Sequence, residues 1–294
     1  PGTGKTHTLT RRIQFLSKTL KTGQKALAVT FTNKAAEEMR SRLLLLGVDL
    51  ASQVDVGTFH AFALGLLRQY QSRLPFPLTF FIAAPEEVDA LAAEFWPDRS
   101  KAERRRTLRR ISAWKASLLD ETDDPDIRLF RQFLRAKEVV DFDDILRDAV
   151  LLLRDNADIR REVRARHPFV LVDEYQDINA VQEGLRELLV GNGVALTVIG
   201  DPNQAIYGFR GSDVNFFRSF PETFKPCQVI ELSRNYRSAG ELLEASAQVM
   251  TKGARFPVPE LTAEIHAKGL LKVHETPTDK AEAEYVAHTI EKMV

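Results

Sequence analysis

Between Phe169 and Asp177 the chain reads FVLVDEYQD, and no other stretch constrains the fold as much. Phe169, Val170, Leu171 and Val172 are consecutive and apolar, two of them β-branched, so the run has no polar face to turn toward water. Such a run suits a strand covered on both sides, as in a parallel sheet with helices above and below it. Two adjacent carboxylates, Asp173 and Glu174, then close the run. Open α/β sheets bind ligands beyond the carboxyl ends of their strands, and a carboxylate pair placed there suits a metal-bound nucleotide. In that reading Asp173 ligates Mg²⁺, while Glu174 positions and deprotonates an attacking water. An acidic turn that merely punctuates a core strand has the same local appearance. The rest of the chain separates the two.

Residues Pro1 to Thr6 read PGTGKT, the closing part of the phosphate-binding pattern G-x-x-x-x-G-K-[ST]. In that pattern Gly2 and Gly4 let backbone N–H groups face phosphates, Lys5 reaches the β and γ oxygens, and Thr6 ligates Mg²⁺. Leu9, Ile13, Leu16 and Leu20 follow at helical spacing, predicting a helix over Lys5 to Lys21 whose amino terminus favours an anion. A glycine-rich turn can occur without a ligand; paired with the Asp173-Glu174 strand, the nucleotide reading prevails.

Three more apolar runs end at polar corners. Ala26 to Phe31 (ALAVTF) leads to Thr32, which caps a helix carrying Ala35, Ala36, Met39 and Leu43. Val54 to Val56 leads to Gly57, Thr58, Phe59 and His60, and Ala195 to Gly200 (ALTVIG) leads to Asp201 to Asp213 (DPNQAIYGFRGSD). Phe31, Asn33, Thr58, His60, Tyr207, Phe209 and Arg210 therefore stand at successive strand ends. Phe31, Asn33, Thr58 and His60 together suit a groove that follows a nucleic-acid backbone, and Tyr207 and Phe209 are aromatics that could stack bases. Capping and core packing account for each of them singly. Gln204 places an amide that could sense a γ-phosphate a few residues from Tyr207 and Phe209.

At 294 residues the chain exceeds one small core. We expect a first α/β domain over 1–73 and 141–220, a helical insertion over 74–140, where Pro75 and Pro77 break the alternation, and a second α/β domain over 221–294. Strands are predicted in the second domain at Val229 to Leu232 and Leu271 to Glu275. Arg237 is then expected at a strand-to-helix turn, where an arginine can reach a γ-phosphate and make hydrolysis depend on domain closure. Lys plus Arg and Asp plus Glu number 41 each, so net charge points to no partner. The local exception is Lys101, Arg104, Arg105, Arg106, Arg109, Arg110 and Lys115, relieved only by Glu103. That run reads as a solvated helix face or as a phosphate-contacting one. Trp96 and Trp114 are assigned to the core. The single cysteine, Cys227, excludes an internal disulfide and suits a reducing compartment. With no membrane-length apolar run and no signal peptide, a cytoplasmic location is expected. Because the chain opens inside a motif, we also expect it to be part of a longer protein.

In chain order, PGTGKT, AVTFTNKAAEEM, GTFHAFALGLLR, DFDDIL, VDEYQD, GDPNQAIYGFRGSD and LSRNYRS together resemble the UvrD/Rep family of superfamily 1 DNA helicases. The resemblance runs from the first residue to about Ser238. It implies two RecA-like P-loop NTPase domains that clamp ATP between them, with a DNA strand across their top. ATP and Mg²⁺ would be the cofactors. By position, Gly2, Thr3, Gly4, Lys5, Thr6, His7, Gln204 and Arg237 would bind ATP, with Thr6 and Asp173 on the metal. Lys5, Asp173, Glu174, Gln204 and Arg237 would carry hydrolysis, and Phe31, Asn33, Thr58, His60, Tyr207, Phe209 and Arg210 would line the strand path. Phe209 stands where many relatives carry Trp. The family moves 3′ to 5′ on single-stranded DNA and opens duplex at single/double-strand junctions, in repair or replication. The alternatives are the motor arm of a helicase-nuclease and a nucleic-acid-binding module without turnover. Lacking parts of both RecA-like domains, the chain as given is expected to hydrolyse ATP poorly or not at all.

Overall fold

The computed structural model describes residues 2–74, 80–119, 122–191, 193–253 and 258–293. Pro1, Pro75 and Pro77 lie outside them. The chain divides into a larger unit, Gly4–Ile230, and a smaller one formed by Pro1–Thr3 with Glu231–Val294.

The larger unit opens with α1 (Lys5–Ser17), β1 (Ala26–Thr30), α2 (Asn33–Leu46), α3 (Val48–Ser52), β2 (Val54–Thr58) and α4 (Phe59–Gln69). A helical segment follows: β3 (Phe81–Ile82), α5 (Pro85–Phe95), α6 (Lys101–Ser117), α7 (Pro125–Ala136) and β4 (Val139–Val140). Then come α8 (Phe142–Asp155), α9 (Ala157–Arg166), β5 (Phe169–Val172), α10 (Ala180–Leu189), β6 (Ala195–Val198) and two short helices, α11 (Asn215–Arg218) and α12 (Phe220–Thr223). The main sheet is parallel throughout, in the order β2-β1-β5-β6.

The period of two along a strand sorts the side chains onto two cores. Ala26 and Ala28 of β1 and Leu171 of β5 face α1 and α2, packing with Leu9, Ile13, Leu16, Met39 and Leu43. Leu27 and Val29 of β1, with Val170 and Val172 of β5, face α4, α8 and α10 on the other side. An uninterrupted apolar run is therefore what these strands need, since neither face meets water. Register aligns Val29 with Val172 and Val172 with Val198, so the strands reach their carboxyl ends together. The polar corners thus gather along one edge.

The helical segment has its own core, in which Trp96 stacks on Phe130 at 4.8 Å and Trp114 packs with Ile111, Ile127 and Leu134. Both tryptophans are buried, as expected. β4, absent from the sequence reading, pairs in parallel with β3 and returns the chain to the main unit. Asp141 then caps α8, its carboxylate accepting from Asp144 N at 2.9 Å.

At this junction the basic run divides. Lys115 is 1% exposed and lies 2.5 Å from Asp141 and 3.0 Å from Asp144, which excludes it from any surface role. Arg110 pairs with Asp124 and Asp126, and Arg104 donates to the carbonyls of Trp96 and Arg99. Lys101, Arg105, Arg106 and Arg109 remain exposed on α6. Burial and then Asp144 push Asp141 up to about 6, against the pull of Lys115. For Asp144 the pull of Lys115 and Arg135 outweighs burial and holds it below the usual range.

In the smaller unit β7 (Arg234–Ala239) pairs in parallel with β8 (Thr262–Ile265), beside α13 (Gly240–Gly253) and α14 (Asp279–Glu291). Neither predicted strand forms. Val229 and Ile230 are exposed, and the strand lies a few residues later, over the polar RNYRSA segment. Leu271 and Val273 are likewise exposed and outside any strand, while the earlier Thr262–Ile265 takes the pairing. Among the described residues no helix is long and apolar enough to cross a membrane.

Removing the ammonium of Lys115 while keeping its length isolates the buried charge. Lys115→Met is expected to lose about 3–5 kcal/mol at pH 7.5, because two buried carboxylates lose their cation. Left without it, those carboxylates bind protons more tightly folded than unfolded, so stability returns as pH falls. Urea unfolding at pH 7.5 and pH 5 checks this: the deficit must be smaller at pH 5.

Candidate nucleotide and nucleic-acid site

The sheet ladder continues beyond β5 and aims the acidic turn. Asp173 N donates to Val29 O at 2.8 Å and Tyr175 N donates to Ile199 O at 3.0 Å, which holds the turn between β1 and β6. Between those anchors Glu174 adopts φ 49° and ψ 46°, the left-handed region. A non-glycine residue there costs about 1–2 kcal/mol. That strain turns Glu174 back toward the start of α1, where its Oε2 lies 3.4 Å from Lys5 Nζ. Asp173 is 5% exposed, and burial, reinforced by Glu174, pushes its carboxyl up to about 6. A buried carboxylate that resists ionising beside a second one is short of positive charge.

Lys5 is the first residue of α1, whose N-cap, Gly4, sits at φ 80°. No side chain caps this helix and its first turn holds no acidic residue, so its N–H groups and positive dipole end are left for an anion. Thr6 is half-buried and His7 exposed in the same turn. A cation-bound phosphate suits this donor set: a lysine and free N–H groups for the anion, a hydroxyl and a charge-starved carboxylate for its metal. Among the described residues no group of three or more His, Cys, Asp or Glu could hold a metal ion.

Gln204 lies on the loop after β6, its amide donating to Asp201 Oδ2 at 2.5 Å. In the smaller unit, Arg237 lies within β7 and its N–H is held by Asn235 Oδ1 at 2.9 Å. Gly2 and Thr3 belong to that unit as well. Gly2 O accepts from Tyr236 N, and a Cβ added to Gly2 would fall 2.7 Å from that of Arg237, so only glycine suits this approach.

The aromatic corners meet. Phe31, just past β1, lies 4.8 Å from Tyr207 between ring centroids, and Tyr207 lies 6.1 Å from Phe209. Phe209 is 80% exposed. Asn33 is exposed at the first position of α2. Thr58 caps α4 by accepting from Ala61 N, so its oxygen already has a partner. His60 packs edge-on against Phe142 at 6.0 Å, and burial pushes its imidazole below the usual range. The side chain of Arg210 lies outside the described residues.

Two residues escaped sequence reasoning. Phe142 is half exposed against His60 and extends the aromatic edge; an aromatic at the first position of α8, where polar residues are favoured, was the available signal. Gln176 is 1% exposed and joins the acidic turn to the loop after β6, which nothing in its sequence neighbourhood announces.

The strain at Glu174 is testable apart from its chemistry. Glu174→Gly and Glu174→Ala delete the same carboxylate, yet only glycine accepts φ 49° freely. The glycine variant is expected to be the more stable by about 1 kcal/mol in urea unfolding; an alanine variant of equal or greater stability would contradict the strain.

The family model for the UvrD/REP helicase N-terminal domain matches residues 1–225. The ATP-dependent DNA helicase Rep of Escherichia coli is 32% identical over 97% of this chain and 45% of its own length. The enzyme of the same name from Buchnera aphidicola is 29% identical over 98% of the chain and 45% of its own. The ATP-dependent DNA helicase PcrA of Staphylococcus aureus is 31% identical over 99% and 42%. The chain thus spans less than half the length of these curated relatives. With the family model covering 1–225 of 294 residues and the phosphate loop, acidic turn and aromatic edge in its order, the chain belongs to the UvrD/Rep helicase family.

Proposed function

We propose that this chain is the motor portion of an ATP-driven translocase on single-stranded DNA, moving 3′ to 5′ and opening duplex at single/double-strand junctions, in repair or replication. The observation that carries the reading is the short path from Lys5 and Glu174, through Gln176 and Asp201, to the loop bearing Tyr207 and Phe209. In this reading the phosphate site and the stacking edge are joined by one run of hydrogen bonds. Relatives named as ATP-dependent DNA helicases support ATP and DNA as the two ligands.

In this reading the N–H groups at the start of α1 and the Lys5 ammonium bind the β and γ phosphates of ATP, with Gly2, Thr3 and His7 beside them. Thr6 and Asp173 would hold Mg²⁺, which when bound neutralises charge on the phosphates and orients them. Glu174 orients the attacking water and takes its proton, exchanging its present hold on Lys5 for that task. Gln204 senses the γ-phosphate, and Arg237 stabilises the charge that develops as it leaves. Bases stack on Tyr207, Phe209, Phe31 and Phe142, while Asn33, Thr58, His60 and Arg210 meet the sugar-phosphate backbone. Affinity for the strand then depends on nucleotide state because the same loop borders both.

Steady-state ATP turnover by the full-length protein, with and without single-stranded DNA, tests this beside Glu174→Gln. DNA is expected to stimulate turnover strongly, and the variant to lose at least about 100-fold, the usual effect of losing a positioned base. No stimulation with strand binding intact would favour the passive binding module.

A further inference from the structure

The amide of Gln176 makes three hydrogen bonds, two within the acidic turn and one to the loop after β6. Nε2 donates one hydrogen to Glu174 Oε2 and the other to Asp177 Oδ2, both at 3.0 Å. Oε1 accepts from Asp201 N at 3.0 Å. The opposite orientation would set Oε1 against two carboxylates and the NH₂ against an N–H, so only one assignment satisfies the site. Gly200 makes the contact possible: a Cβ there would stand 2.5 Å from Gln176 Oε1. The connection is repeated at the far end of the loop, where Asp213 N donates to Ile178 O and Asn179 pairs with Ser212. The loop from Asp201 to Asp213 is therefore tied to the acidic turn and the residues just after it at its start and its end.

We propose that Gln176 is the positioning residue that makes hydrolysis depend on the DNA strand. In the arrangement seen, Glu174 Oε2 is shared between Lys5 and Gln176 and is thereby kept off any water beside a phosphate. A base stacking on Tyr207 or Phe209 loads the loop, the Asp201 N–H moves relative to Oε1, and the amide can no longer hold both the loop and Glu174 where they are. Buried hydrogen-bonded groups have discrete rather than graded arrangements, so a small loop movement becomes an exchange of partners. Gln176 touches neither nucleotide nor DNA; it acts through Glu174 and Asp201.

The inference rests on the motor reading above, and the test separates them. Gln176→Met keeps the volume and removes all three bonds. Gln176→Asn keeps a polar amide but is one methylene too short to serve the carboxylates and Asp201 N together, and it covers the case in which the methionine variant fails to fold. In the full-length protein, both are expected to lower the ratio of DNA-stimulated to unstimulated ATP turnover about tenfold, with the KM for ATP and the Kd for a single-stranded oligonucleotide within about threefold of the parent. A ratio equal to the parent's overturns the inference alone. So does a parallel loss of KM, Kd and both rates, which would mark a merely structural residue. Absence of stimulation in the parent overturns the motor reading and this inference with it.

Discussion

Everything at the candidate site depends on β5 being buried on both faces and held between β1 and β6. Val170 and Val172 pack into one core and Leu171 into the other. Shifting the strand by one residue would exchange the two sets at once, so its register is not free to vary. The backbone ladder then runs one step past the last apolar residue on each side, through Asp173 to β1 and Tyr175 to the end of β6. Glu174 lies between two fixed points and adopts the left-handed region there. Its carboxylate is therefore aimed by the core, not by its own conformational preference.

The same constraint explains why a single edge carries such different chemistry. Parallel strands of matched register end together, so the start of α1, the acidic turn and the aromatic corners are neighbours although they lie far apart in the chain. The helical segment between β2 and β5 disturbs none of this. It has its own aromatic core and is fastened to α8 by Lys115, Asp141 and Asp144, a buried charge cluster in which each member depends on the others.

The legible parts of the sequence were those where burial on two faces leaves an uninterrupted apolar run. β1 and β5 could be read for that reason, β6 by its apolar run although as an edge strand it is at most half-buried, and the residues just after them named most of the edge. The smaller unit was read less well. Val229-Ile230 and Leu271 look like strand on composition but are exposed, whereas β7 is polar and is held by its hydrogen-bond ladder to β8. Apolar character predicts a strand only where something covers it. Lys115 was misplaced for a related reason: a lysine in a basic run reads as surface, and only two carboxylates about thirty residues further on bring it inside. Gln176 was illegible because its role comes from a loop 25 residues away, reached through the space left by Gly200.

In the proposed motor, the phosphate site and the stacking edge of the larger unit form one mechanical element. The most direct test is thermodynamic linkage: the affinity of the full-length protein for a labelled single-stranded oligonucleotide, measured by fluorescence anisotropy without nucleotide, with Mg-ADP and with a non-hydrolysable ATP analogue. Two coupled sites predict affinities that differ at least about fivefold between nucleotide states. Equal affinities in all three states would contradict the claim, leaving a phosphate loop and a nucleic-acid edge that share a sheet without acting on each other.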